Sequence, residues 1–82
     1  MIIKYPYVSE KASRDLEFDG KLQFIVDRKS SKELVAKEIE RMFDKKVVSV
    51  KTLMTMKGHK KAIVSFADEK DGEEILSRLG VL

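Results

Sequence analysis

KLQFIVDRKSSKELVAKEIERMFDKKVVSVKTLMTM, residues 21–56, changes hydrophobic period twice, and those changes decide the fold. Lys21 to Arg28 alternates: Leu22, Phe24 and Val26 face one way, and Lys21, Gln23, Ile25 and Asp27 the other. Period two over this length predicts a half-buried strand. The period then lengthens. Ser30 and Glu33 have capping-box spacing, in which each side chain satisfies the other's exposed backbone N–H. Val35, Ile39, Met42 and Phe43 follow at helical intervals, which predicts a helix from Ser31 to about Asp44. Alternation returns from Val47 to Met56. Val48, Val50, Thr52, Met54 and Met56 share an inward face, and Ser49, Lys51, Leu53 and Thr55 the opposite one.

Beyond this stretch, Lys57-Gly58-His59-Lys60 is a tight turn in which Gly58 is free to take a positive φ. Lys61 to Ala67 comes back as a strand with Ala62, Val64 and Phe66 inward, so residues 47–67 form a hairpin tipped by Lys57 to Lys61. Asp71 and Glu74 repeat the cap spacing ahead of a last helix. Its apolar face is Ile75, Leu76 and Leu79, and Gly80 stops it. Upstream, Asp19-Gly20 signals a turn. Ser9 caps a short helix that runs to about Glu17, with Glu10 in its first turn. Pro6 holds Tyr5 extended, and Ile2 to Lys4 forms a short edge strand. The expected fold is α+β: helices packed on a small antiparallel or mixed sheet of three main strands and the N-terminal edge strand, ferredoxin-like in general layout.

At 82 residues the chain is expected to be a single domain, residues 1–82, with one modest core. A hydrophobic fraction of 43% is enough to fold it. There is no cysteine, which excludes disulfides and thiolate metal sites and fits a cytoplasmic home. No signal peptide is visible at the start, and no apolar run approaches the ~20 residues of a membrane span. Charged residues reach 38%, against about 25% in an ordinary domain, consistent with a binding surface or heat adaptation. Their distribution is more telling. Met1 to Asp44 is balanced, Lys45 to Ala67 holds six lysines and no acid, and Asp68 to Leu82 has an excess of three acids. One sharply basic segment in a mildly charged domain is the footprint of a polyanion binder. The plainer reading is a solvated hairpin whose lysines discourage edge-to-edge aggregation.

Catalytic chemistry is not legible. The single histidine, His59, sits in the lysine-rich turn without a nucleophile–base arrangement around it. No carboxylate or histidine spacing suggests a metal, and the four glycines are isolated, so neither a phosphate loop nor a cofactor is expected. Met42, Met54 and Met56 read as core fillers or cover for a partner surface. An RNA-recognition motif would carry aromatics on the open face of its central strands. Here the outward positions are Gln23, Ile25, Ser49, Lys51, Leu53, Ile63 and Ser65, while Phe24, Phe43 and Phe66 face inward. Tyr5 and Tyr7 flank a proline; stacking on a base and packing on the sheet are both open to them, and packing is the favoured expectation. What remains is backbone recognition by lysines and turn amides.

The run Pro6-Tyr7-Val8-Ser9-Glu10-Lys11-Ala12 resembles the amino-terminal signature of the universal L-twenty-three family of large-subunit ribosomal proteins. The likeness continues in order through Leu22 to Asp27, Ser31-Lys32-Glu33 to Phe43, Lys46 to Val50, and Gly58 to Val64. It implies binding of large-subunit rRNA at the rim of the polypeptide exit tunnel. It also implies a neighbouring protein of the L-twenty-nine family and docking of the signal recognition particle or other nascent-chain factors. In bacterial relatives the acid of the Ser-Glu-Lys motif contacts a ribosome-bound chaperone; carried over, the resemblance implies that docking role for Glu10, alongside the plainer reading of Glu10 as a helix-dipole residue. Val50-Lys51-Thr52 departs from the Val-Asn-Thr often seen in the family. The short loop from Lys57 to Lys61 lacks the long extension of bacterial members, so a role inside the tunnel is not implied; the chain resembles the short archaeal or eukaryotic form.

The residues expected to meet RNA are Ser9, Lys11, Lys51, Thr52, Lys57, Gly58, His59, Lys60 and Lys61. Lys45 and Lys46 sit at a helix C-terminus, where the macrodipole alone accounts for them. The free chain is expected to be monomeric, without membrane insertion. Two other readings stay open at this point: a small regulatory domain that dimerises around an effector, and a membrane-surface binder.

Overall fold

The computed structural model describes residues 2–7, 9–68 and 70–79. The elements run β1 (Ile3–Pro6), α1 (Glu10–Asp19), β2 (Lys21–Val26), α2 (Lys32–Phe43), β3 (Val47–Met54), β4 (Lys60–Phe66) and α3 (Asp71–Arg78). The four strands form one sheet in the order β1-β2-β4-β3, each neighbouring pair antiparallel. β2 and β3 therefore run parallel with β4 between them, joined by a crossover through α2. The α+β layout expected from the periodicities is the one observed.

The core lies between the sheet and the helices. Leu22, Phe24 and Val26 of β2 and Ala62, Val64 and Phe66 of β4 meet Val35, Ile39 and Phe43 of α2, Ile75 and Leu76 of α3, and Leu16 of α1. Phe24 is completely buried, and its ring stacks on Phe43 with centroids 6.4 Å apart. Burying each such side chain contributes about 1.5–3 kcal/mol. α3 gets close because Gly72 has no side chain: a Cβ there would sit 2.6 Å from Leu16 Cδ1.

Several local expectations change. α1 runs on to Asp19, because Gly20 adopts the left-handed conformation (φ 65°) and donates back to the carbonyls of Asp15 and Leu16. β2 stops at Val26 rather than Arg28, since Asp27 opens a turn whose carboxylate accepts from the Lys29 N–H at 2.9 Å. The α2 cap is Ser31, not Ser30: Ser31 Oγ accepts from the Leu34 N–H at 3.2 Å. Ser30 is buried and donates instead to the Asp27 carbonyl. Asp71 caps nothing. α3 begins after Lys70 without a side-chain cap, and Asp71 turns to Lys45. Gly80, the expected stop, lies outside the described residues.

The largest correction is in β3. Its register with β4 slips between Val47 and Ser49. Val47 pairs with Phe66 and packs on the core, whereas Val48 is 65% exposed. A bulge flips one residue and preserves the alternation beyond it. The edge end of the hairpin is also less covered than expected. Met54 and Met56 are exposed rather than core residues, and Met42 and Leu79 are only partly covered.

Candidate nucleic-acid interface

The β3–β4 hairpin closes through Thr55. Its N–H donates to the His59 carbonyl at 2.8 Å, its carbonyl accepts from the Gly58 N–H at 3.0 Å, and its hydroxyl accepts from the His59 N–H at 3.1 Å. Gly58 takes φ +83°, a conformation that a side chain would disfavour. One threonine thus ties the turn together, and the side chains of Met56, Lys57 and His59 are left exposed at its tip.

Strand alternation sorts the remaining candidates. Lys51, Leu53, Lys61 and Ile63 share the face of the sheet away from α2, as the pairs Lys51–Ile63 and Leu53–Lys61 require. Thr52 pairs with the buried Ala62 and lies on the other face, so the structure separates it from Lys51. Lys60 also turns away from the tip: its Nζ donates to the Ser30 carbonyl at 2.5 Å, holding the start of α2 against the hairpin. Lys61 Nζ lies 4.6 Å above the centre of the Tyr7 ring, a cation–π contact. Through Tyr7 the open face meets the start of α1. There Ser9 Oγ is engaged as a helix cap, accepting from the Ala12 N–H at 3.1 Å, and Glu10 and Lys11 are exposed.

The acid-free stretch is not acid-free in space. Lys45 reaches Glu74 at 2.6 Å and Asp71 at 3.5 Å, and the Glu74 hydrogen bond holds the ammonium above its ordinary pKa. The macrodipole alone therefore does not account for Lys45. Asp15 and Asp19 of α1 share a shallow depression of the open face with Lys21 and Lys51. α1 thus covers one end of that face, where Asp15 also accepts from the buried Gln23 side chain at 2.8 Å. Among the described residues, none of the ion pairs involves Lys46, Lys51, Lys57 or Lys61. No helix among them is long and apolar enough to cross a membrane.

The geometry is that of a basic, preorganised hairpin beside a mixed open face, and the order of its parts matches a known pattern. The profile of the family described as ribosomal protein L23 matches residues 1–73. The chain belongs to the ribosomal protein L23 family. It is 60% identical to the large ribosomal subunit protein uL23 of Methanospirillum hungatei over 82 residues, all of both chains. The protein of the same name from Haloarcula marismortui is 46% identical over 80 residues, 98% of this chain and 94% of the relative. That of Pyrobaculum aerophilum is 44% identical over 81 residues, 99% and 100%. These relatives are archaeal, in keeping with the short hairpin loop.

Within this family member, two features depart from the expectations drawn from sequence. Tyr5, expected to pack on the sheet, is 48% exposed. Met56, expected to turn inward, is fully exposed. Tyr5, Pro6, Tyr7 and Ile25 form one wall of a groove of about 690 Å³, and Thr55, Met56, Lys57 and His59 form the other. The sequence does carry a signal for the tyrosines: residues two apart on an extended segment fall on the same side. It is outweighed there by the tendency of aromatics in a small domain to go inside.

Proposed function

We propose that the chain is a structural constituent of the large ribosomal subunit, and that its 82 residues act as one domain that grips large-subunit rRNA mainly by the sugar–phosphate backbone. The observation that carries this reading is the hairpin tip. Gly58 and His59 are hydrogen-bonded to Thr55 beside Lys57, with Lys51 and Lys61 on the adjoining face, and no carboxylate among the described residues pairs with those lysines. Lysines on a fixed turn bring positive charge to phosphate without first ordering a loop, and such contacts position a protein without reading bases. The Ser9-Glu10-Lys11 corner supports the same surface from the other side of Tyr7, with Ser9 acting through the helix it caps. Lys60 and Thr52 contribute to the fold beneath.

The family relation and the exposed Glu10, whose neighbour in an ion pair is the equally solvated Arg14 at 3.9 Å, favour a site at the rim of the exit tunnel. There Glu10 is the contact for signal recognition particle or other nascent-chain factors, beside a ribosomal neighbour of the L-twenty-nine family. In this reading the free chain is a cytoplasmic monomer and no membrane insertion or catalysis is involved.

The test is titration of a large-subunit rRNA transcript at several salt concentrations. With roughly four to six phosphate contacts, log affinity falls with log salt at a slope of about −3 to −5. A flat response sinks the proposal.

A further inference from the structure

The groove between the N-terminal strand and the hairpin tip has a composition that lysine–phosphate contacts do not use. We propose that it seats an unstacked RNA base, with the flanking phosphates held at its rim; this rests on the reading of the chain as an rRNA binder and deepens it.

Three observations on the groove converge. Its volume of about 690 Å³ is ample for one nucleotide. Its lining is flat or soft: Tyr5 is 48% exposed, the buried Ile25 pairs with it across the β1–β2 ladder, and Met56 extends fully into solvent. Lys61 already covers one face of Tyr7, so Tyr5 is the aromatic surface left for stacking. Its rim carries the Lys57 ammonium, with His59 beside it and no carboxylate among the lining residues. An apolar peptide would bury the walls but leave that rim unpaired. A nucleotide uses both, because every base has a π-face and every linkage a negative charge.

A half-exposed tyrosine and a solvated methionine are otherwise poor choices for a soluble surface. They line the same groove from two segments, Tyr5 from β1 and Met56 from the hairpin turn.

The test uses the whole chain labelled with 13C at its methionine methyls, the Met56 resonance being assigned through Met56→Leu. The probes are octaadenylate, polyphosphate of matched charge, an RNA duplex and the large-subunit rRNA transcript. A seated base shifts the Met56 methyl upfield through its ring current. The expected result is that octaadenylate moves Met56, and that polyphosphate and duplex do not. Tyr5→Leu then weakens octaadenylate about tenfold or more, in the range for loss of one stacking platform, with the salt slope unchanged. Met56→Ala, at a position with nothing packed on it to disturb, weakens it in the same direction. An equal shift with polyphosphate overturns the base seat in favour of an anion site. Tight, salt-dependent binding of the transcript with Met56 unmoved by octaadenylate overturns the seat and leaves the backbone-binding function standing. If no RNA binds, both fall.

Discussion

The helical layer and the hairpin tip use their charged side chains in opposite ways. On the helical side, charges close on one another. Lys45 bridges Asp71 and Glu74; Arg78 holds Glu74 at 2.9 Å and the Phe43 carbonyl at 3.2 Å; Arg41 pairs with Glu38. The Lys45 bridges and the Arg78–Phe43 hydrogen bond tie the end of α2 to α3, while the Arg41–Glu38 and Arg78–Glu74 pairs lie within α2 and α3. At the tip, Lys57 and His59 stand on a turn held by backbone and hydroxyl hydrogen bonds, next to exposed apolar side chains. Lys45 and Lys57 come from the same acid-free stretch. The role of each lysine is nevertheless set by what the fold brings beside it, since a carboxylate 29 residues away in sequence neutralises one and, among the described residues, none forms an ion pair with the other. Substitutions on the first side should therefore register in stability, and substitutions on the second in RNA affinity.

The largest effect is expected in the core. Phe24→Ala removes a fully buried ring that stacks on Phe43, and is expected to lower stability by about 3–5 kcal/mol, a large part of what a domain this size possesses. Urea unfolding measures it. RNA affinity of the fraction still folded should be unaltered; a parallel loss of intrinsic affinity would show that core and tip are not separable.

Next in size is the tip itself. Changing Lys51, Lys57 and Lys61 together to Ala should reduce the salt slope by about 2 to 3, at roughly 0.7–0.9 for each phosphate no longer neutralised. Stability should change little, since none of the three is buried and none forms an ion pair among the described residues. An unchanged slope would remove the hairpin from the binding surface.

How much of this is legible in the sequence follows from where the information lies. The periods of residues 21–56 depend on local spacing, so β2, α2 and β3 can be read directly, and so can the inward Phe24, Phe43 and Phe66. The bulge at Val48 cannot. Alternation looks equally good through a slipped register, and only the pairing of Val47 with Phe66 reveals it. The cap of α2 has two adjacent serines to choose from, and burial of Ser30 decides between them. The basic segment is visible as composition. Its division is not, because the partners of Lys45 and Lys60 come from α3 and the β2–α2 turn, and Lys51 shares its depression with α1 without pairing to it among the described residues. Tertiary pairs are invisible to spacing.

Lys60 tests the division more finely, because it grows from the hairpin yet acts on the helical side. Lys60→Ala loses one hydrogen bond to the Ser30 carbonyl, worth about 1 kcal/mol, and should leave the salt slope where it was. A drop in slope equal to that of a tip lysine would return Lys60 to the RNA-binding set.

The smallest effect concerns Glu74, and its sign is fixed by the direction of two shifts. The hydrogen bond from Lys45 holds the Glu74 carboxyl below its ordinary value of 4.5, and the reciprocal contact raises Lys45 above 10.5. A lowered carboxyl pKa contributes stability that is present above the ordinary value and is lost as pH falls through the folded-state value. A raised lysine pKa contributes stability that is present below 10.5 and is lost as pH rises through its folded-state value. The α2–α3 tie is thus strongest between those limits. Glu74→Gln should remove the acid-side decline that belongs to this pair, seen as urea midpoints that fall less steeply below pH 4.5 than those of the parent chain. Both side chains touch solvent, so salt should shrink the difference further. RNA affinity should stay level across the same substitution. A change there would mean that the helical side reaches the binding surface through the β3–β4 sheet, and that the two regions are coupled.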